Sequence, residues 1–252
     1  MNTSMAPQGA HFLVLGAGGL GAPALLALLA GGARSLTIVD RDRVDATNLH
    51  RQVLYDLGDV GALKSEAARL QLLRRDRQLC VDALTMDLDA SALDRLLEAQ
   101  PAGAIVLECS DSPDLKFMVN DACLRRDLAA VIGGVIRWRG QAQAIARGAA
   151  CLRCVYEDPP PHAIAEQCAA VGVLGPAAGL FGHLMAHLAF ALARARGEIA
   201  GALLTFDLLQ MRPQELRPRP RAGCPACAGH DPSPTVTPSH PACSSRTIPA
   251  PR

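Results

Sequence analysis

Apolar and polar residues alternate along this chain in short blocks. His11–Leu15, HFLVL, is a continuous apolar run of strand length that ends at Gly16. Gly19–Ala30 follows, rich in alanine and leucine. It reads as a helix with Pro23 in its first turn, where a missing N–H does little harm. Ser35–Val39 is a second β-rich run, ending at Asp40. The alternation continues: a helix over Val60–Arg74, a strand over Leu79–Leu84, a helix over Ala90–Ala99, a buried strand over Ala104–Cys109, a helix over Pro113–Arg126 and a strand over Ala129–Gly133. This pattern predicts an α/β fold with a Rossmann-like, doubly wound, mostly parallel sheet and helices on both faces.

The texture then changes. Val135–Arg147, VIRWRGQAQAIAR, reads as antiparallel β that continues the sheet. Ala149–Gln167 is a loop bearing cysteine and proline, Gly175–Arg196 a long apolar helix, and Leu203–Phe206 a further strand. Pro213–Arg221 is rich in proline and arginine. Residues 1–9 read as a disordered leader and 230–252 as a low-complexity disordered tail, which leaves one domain over 10–229.

With 252 residues, 50% of them hydrophobic, the chain can bury one substantial core. A net charge of +1 gives no bias toward nucleic acid or a membrane surface. Ala169–Ala193 is long enough to span a bilayer. It contains Gly172, Gly175, Pro176, His183 and His187 and lacks an aromatic belt, so a buried helix is the better reading. Nine cysteines, an odd number, with no convincing signal peptide, favour metal and thiol chemistry in the reducing cytoplasm. Lys64 and Lys116 are the only lysines.

The chemistry begins at Gly16-x-Gly18-Gly19-x-Gly21, a glycine loop between a strand and a helix. Such loops let the backbone approach phosphate at the positive end of a helix. Asp40, at the end of the second strand, can accept bonds from ribose hydroxyls. These features specify a nucleotide without saying which. Asp42, Asn48, Arg51 and Gln52 make a dense polar stretch beyond what a simple dehydrogenase needs, and suit ribose and charged phosphate. An isolated lysine such as Lys64 is ordinarily a solvated helix residue. Asp111, just past an apolar strand, points to the carboxyl edge of the sheet, where it could hold Mg²⁺ or cap the following helix. Cys151/Cys154 and Cys224/Cys227 form two C-x-x-C pairs with the spacing of a structural Zn²⁺ site. Cys168 is a candidate reactive thiol or a small apolar residue near a helix start; Cys80, Cys109 and Cys123 read as core.

GAGGLG, DRDRVDATNLHRQ, VGALK and ECSD together resemble the motifs of the ThiF/MoeB/HesA family, bacterial relatives of the ubiquitin-activating enzymes. The resemblance covers roughly residues 10 to 229. It implies an ATP-dependent adenylyltransferase that activates the C-terminal glycine of a small ubiquitin-like sulfur carrier ending in Gly-Gly, for thiamine, molybdopterin or related biosynthesis. It further implies that Asp40 holds the ribose, that Asn48, Arg51, Gln52 and Lys64 hold the phosphates, and that Asp111 coordinates Mg²⁺. Cys168 would take part in sulfur transfer, and the enzyme would be a homodimer. Many members carry an N-terminal arginine that reaches the partner's triphosphate. Here ten residues precede the first strand and none is Arg or Lys, so that arginine is expected to be absent or replaced from elsewhere. The alternatives are an NAD-dependent oxidoreductase, which leaves Asn48, Arg51, Lys64 and the cysteine pairs idle, and a weakly catalytic binding protein.

Overall fold

A computed structural model describes residues 5–161, 163, 171–195 and 197–228. Within them the chain runs β1 (His11–Leu15), α1 (Gly21–Ala30), β2 (Ser35–Val39), α2 (Lys64–Arg75), β3 (Cys80–Leu84), α3 (Ala90–Glu98), β4 (Ile105–Glu108) and α4 (Pro113–Arg125). There follow β5 (Ala129–Ile136), β6 (Arg139–Ile145), α5 (Leu152–Val155), α6 (Gly175–Ala193), β7 (Leu203–Asp207) and β8 (Arg212–Leu216). The strands form one sheet in the order β3-β2-β1-β4-β5-β6-β7-β8. Pairing from β3 to β5 is parallel, and from β5 to β8 antiparallel.

The parallel half is legible because its strands are covered on both faces, which demands near-continuous apolar runs. In β1 every residue from Phe12 to Leu15 is buried. Phe12 and Val14 join the core under α1 and α6, whereas Leu13 and Leu15 join the core under α3 and α4. Helix α6 owes its apolar composition to this packing. Phe181 and Met185 are fully buried, Phe190 meets Phe12 edge-on at 5.5 Å, and a Cβ on Gly182 would sit 2.6 Å from the carbonyl of Leu20, the residue that precedes α1. By length and composition α6 could also cross a membrane, but half of its apolar window is buried against the rest of the chain.

Several boundaries differ from the sequence reading. Helix α2 begins at Lys64, not Val60, because Leu63 is extended and pairs with Arg43 in an isolated bridge. Helix α1 begins at Gly21, since Gly16 to Leu20 are spent on the loop. Strand β5 runs on to Ile136 and turns into β6 through Arg137, at φ 51°, and Trp138. The cysteine-bearing loop contains the one-turn helix α5. The Pro213–Arg221 segment contributes β8, whose residues are all exposed; proline is tolerated there because β8 is an edge strand.

Candidate functional site

The strand order reverses between β1 and β4, with β2 and β3 on one side and β5 on the other. In an open α/β sheet this switch point opens a crevice at the carboxyl edge of the strands. A cavity of about 1100 Å³ occupies that edge. It is lined by the glycine loop, Asp40, Asp42, Asn48, Arg51, Gln52, Lys64, Asp111 and Lys116, and extends past β6–β8 to Arg139, Gln141 and Arg212. All the nucleotide-site residues expected from the sequence therefore face one cleft, except Gly21.

The four glycines divide their work. Gly16 takes φ +88°, and a Cβ there would lie 3.0 Å from the Ser110 amide nitrogen. On Gly21 a Cβ would lie 1.9 Å from the Gly16 carbonyl oxygen. These two fold the loop onto itself and onto the end of β4. Around Gly18 and Gly19 the nearest atoms are side chains of Gln52, Arg51 and Ala178 at 3.6 to 3.7 Å. Their bareness keeps space open on the cleft side, where a phosphate could approach the backbone.

Asp40 is buried and braces this loop. Its Oδ2 accepts the Ala17 amide at 2.7 Å and its Oδ1 accepts the Asp42 amide at 2.8 Å. Burial raises its pKa, against the pull of those two bonds and of Lys64. Each carboxylate oxygen retains a lone pair for a further donor. Asp45 caps a short turn over Ala46–Asn48, and the Asn48 carbonyl accepts the amides of Arg51 and Gln52, both at 3.0 Å. This turn presents Asn48, Arg51 and Gln52 together. Gln52 is 4% exposed and its Oε1 has no partner, so a donor from a bound molecule would satisfy it. Tyr55, which the sequence reading missed, ties this loop to the glycine loop through its hydroxyl, within bonding distance of the Ala17 and Lys64 carbonyls.

Lys64 does not lie on a solvated face. It is 6% exposed, and its Nζ donates to Asp42 Oδ2 at 2.8 Å in the cleft. Asp111 is exposed and makes no hydrogen bond among the described residues; its charge interacts with the Arg41 guanidinium. The helix-capping alternative goes to its neighbour, since the Ser112 side chain accepts the Leu115 amide and caps α4. That leaves Asp111 available as a hard oxygen donor suited to Mg²⁺. No role was expected for Glu108 and Lys116 here; the sequence signals were the place of Glu108 in the ECSD motif and the scarcity of lysine.

The four thiols of Cys151, Cys154, Cys224 and Cys227 converge behind the sheet, all within 4.8 Å of one another. The sulfur–sulfur separations are 3.9 Å for Cys151–Cys154, 3.7 Å for Cys151–Cys224 and 3.3 Å for Cys154–Cys227. Thiolates bound tetrahedrally at 2.3 Å from zinc would stand about 3.8 Å apart, so the set fits that ion. Burial pushes the Cys151 thiol up to about 11; at Cys224 burial is outweighed by backbone donors from Ala226 and Cys227, which bring it to about 7. Helix α4 anchors this module. Asn120 Oδ1 accepts the Leu152 amide at 2.9 Å, and Arg153 clamps the Asp121 carboxylate while stacking 5.0 Å from Phe117. Cys109 and Cys123 are buried as expected, whereas Cys80 is half-buried. Cys168 lies outside the described residues.

The comparisons with known proteins agree with this geometry. The sulfur carrier protein adenylyltransferase of Thermus thermophilus is 33% identical over 231 residues, covering 89% of this chain and 84% of that protein. The SAMP-activating enzyme E1 of Haloferax volcanii is 32% identical over 216 residues, covering 85% and 79%. The adenylyltransferase and sulfurtransferase MOCS3 of Drosophila virilis is 34% identical over 221 residues, or 86% of this chain; the chain spans about half of that relative's length, 48%. Among solved structures, E. coli MccB with ATP superposes with a TM-score of 0.75 at 22% identity, covering 87% of this chain and 67% of that one, a likeness of fold. The ThiF family model matches residues 8–226, and the chain belongs to the ThiF family.

Proposed function

We propose that residues 10–229 form an ATP-dependent adenylyltransferase that activates the C-terminal glycine carboxylate of a small ubiquitin-like sulfur carrier. The observation that carries this reading is the convergence of Arg51, Lys64 and Asp111 on the cleft that holds Gly18 and Gly19. The names of the Thermus and Haloferax relatives support the same activity.

The carrier carboxylate attacks the α-phosphorus of ATP in line, the α-phosphorus–oxygen bond to pyrophosphate breaks, and the acyl-adenylate forms. This step needs no protein nucleophile, only positioning and charge neutralisation. Asp40 holds the ribose, and the glycine loop, Asn48, Gln52, Arg51 and Lys64 hold the phosphates. Asp111 would hold Mg²⁺, and the ion would supply charge neutralisation at the phosphates. The wall of β6–β8, with Gln141 and Arg212, extends the cleft far enough to receive an extended peptide tail. The four cysteines would hold zinc and staple the C-terminal segment to the loop after β6. A homodimer and cytoplasmic residence belong to the same proposal; exposed Val53, Leu57 and Val60 beside the cleft supply apolar surface for a partner. Cys168 would serve a later, thiol-dependent step, so Cys168→Ser should spare adenylation and impair sulfur transfer.

The direct test is ATP–pyrophosphate exchange. Exchange should require a carrier protein ending in Gly-Gly and should vanish when its last glycine is removed. Tight NAD binding without exchange on any such carrier would defeat the proposal.

A further inference from the structure

Glu108 ends β4 directly below the cleft and is fully buried. A carboxylate in that position needs a counter-charge. Its Oε2 accepts Lys116 Nζ at 2.5 Å, and its Oε1 accepts both the amide, at 3.0 Å, and the hydroxyl of Ser110. The same Lys116 Nζ donates to the Ser110 carbonyl at 2.6 Å. Residues 108–110 are thus closed into a ring by one lysine reaching back from the first turn of α4. On the opposite side, the Ser110 backbone rests against Gly16, where a Cβ would be only 3.0 Å away. The next residue is Asp111, exposed in the cleft, with no hydrogen bond among the described residues and with the Arg41 guanidinium near enough to feel its charge.

We propose that Lys116 is a positioning residue for Asp111: by tethering the Ser110 carbonyl to the buried Glu108, it fixes the carboxylate that faces the nucleotide cleft. A counter-charge alone would need only the bond to Glu108. The second bond, one residue from Asp111, sets the direction in which the chain leaves β4. An ammonium can hold both acceptors at once, which an apolar or single-donor side chain cannot. The inference rests on the functional reading above, in which Asp111 is the oxygen ligand for Mg²⁺.

The test is ATP binding by calorimetry at one pH, with Mg²⁺ and again with chelator in its place. The wild-type chain should bind ATP more tightly with Mg²⁺. Lys116→Met should lose about tenfold of that gain, the order of effect for one hydrogen bond to a charged group; the gain is the ratio of each variant's own two affinities, so the loss of a cation from the cleft lining, which weakens both, does not enter it. Lys116→Arg should keep most of the gain. Lys116→Met also leaves Glu108 buried and uncompensated, so the double variant Glu108→Gln/Lys116→Met decides the matter. It should recover the melting temperature but not the Mg²⁺ gain, because the tether to Ser110 is still missing. A double variant that recovers both makes Lys116 a counter-charge only and overturns the inference, as does an undiminished gain in folded Lys116→Met. A wild-type chain that binds no ATP, or binds it without a Mg²⁺ gain, overturns the functional reading first and this inference with it.

Discussion

Substituting Gly18 and Gly21 separately by alanine should produce opposite outcomes in the same loop. At Gly21 the new Cβ would lie 1.9 Å from the Gly16 carbonyl oxygen and 2.8 Å from its carbon. Both are backbone atoms, so relief requires moving the loop or α1. Overpacking of this kind costs about 3 kcal/mol. In a chain of this size that is a fall in melting temperature of roughly 6–12 °C. At Gly18 the backbone is not left-handed, and a Cβ would meet only Gln52 Nε2 at 3.6 Å, an ordinary contact. Gly18→Ala should therefore melt no lower than wild type, and up to about 1 kcal/mol more stable through loss of unfolded-state freedom. It should nonetheless bind ATP about 10–100-fold more weakly, because the methyl group keeps a phosphate from the backbone donors. Thermal melting and calorimetry on the two variants read both quantities. A Gly21→Ala chain that melts like wild type would refute the packing argument. A Gly18→Ala chain with full ATP affinity would refute the placement of phosphate at this loop.

Lys64→Ala removes a buried cation from the cleft but leaves Asp42 with 57% of its side chain exposed. Stability should fall by no more than about 1 kcal/mol, while exchange activity should drop on the order of 10²–10³-fold; measuring melting and exchange on one preparation separates the two. Elemental analysis should find about one zinc per chain, and its removal by chelator or by Cys224→Ser should lower the melting temperature by roughly 10–20 °C, about 5 kcal/mol of lost stability. A zinc-free chain with an unchanged melt would refute the staple. In Lys116→Met the burial that raises the Glu108 pKa loses its main opposing charge. The folded state then binds a proton that the unfolded chain releases, so stability is greatest below the unfolded carboxyl pKa and falls as pH rises toward the raised folded value. Melting curves at stepwise pH should show this variant losing more stability on the alkaline side than wild type, and parallel profiles would refute it.

Much of the fold was legible because burial on two faces forces apolar runs, as in Phe12–Leu15 and Ile105–Leu107. Strand β8 was not, since its five residues are exposed and an edge strand leaves no apolar alternation to read. The start of α2 was misplaced for a related reason. Val60 to Leu63 look helical by composition, but the chain turns at Val60 and Gly61, where φ is 89°, and Leu63 is held extended by its bridge to Arg43 and by Lys64 N–H donating to the Asp42 carbonyl. The glycine loop and cysteine pairs were readable because their spacing is local and carries the chemistry. The burial of Lys64 was not legible in its local spacing, and only the family resemblance pointed it at the phosphates; burial decides between a surface lysine and a cleft cation, and it comes from the loop folding over it. The pairing of Glu108 with Lys116 was illegible for the same reason: the acid of ECSD acquires its counter-charge only when a helix eight residues later brings an ammonium to it.

The most direct test of the central claim is the mass of the carrier itself. Incubated with this protein, ATP and Mg²⁺, a ubiquitin-like carrier ending in Gly-Gly should gain one AMP at its C-terminal carboxylate, and hydroxylamine should convert that adduct to the hydroxamate with release of AMP. A carrier that stays unmodified while the Gly18 loop binds a nicotinamide dinucleotide in preference to ATP would contradict the account.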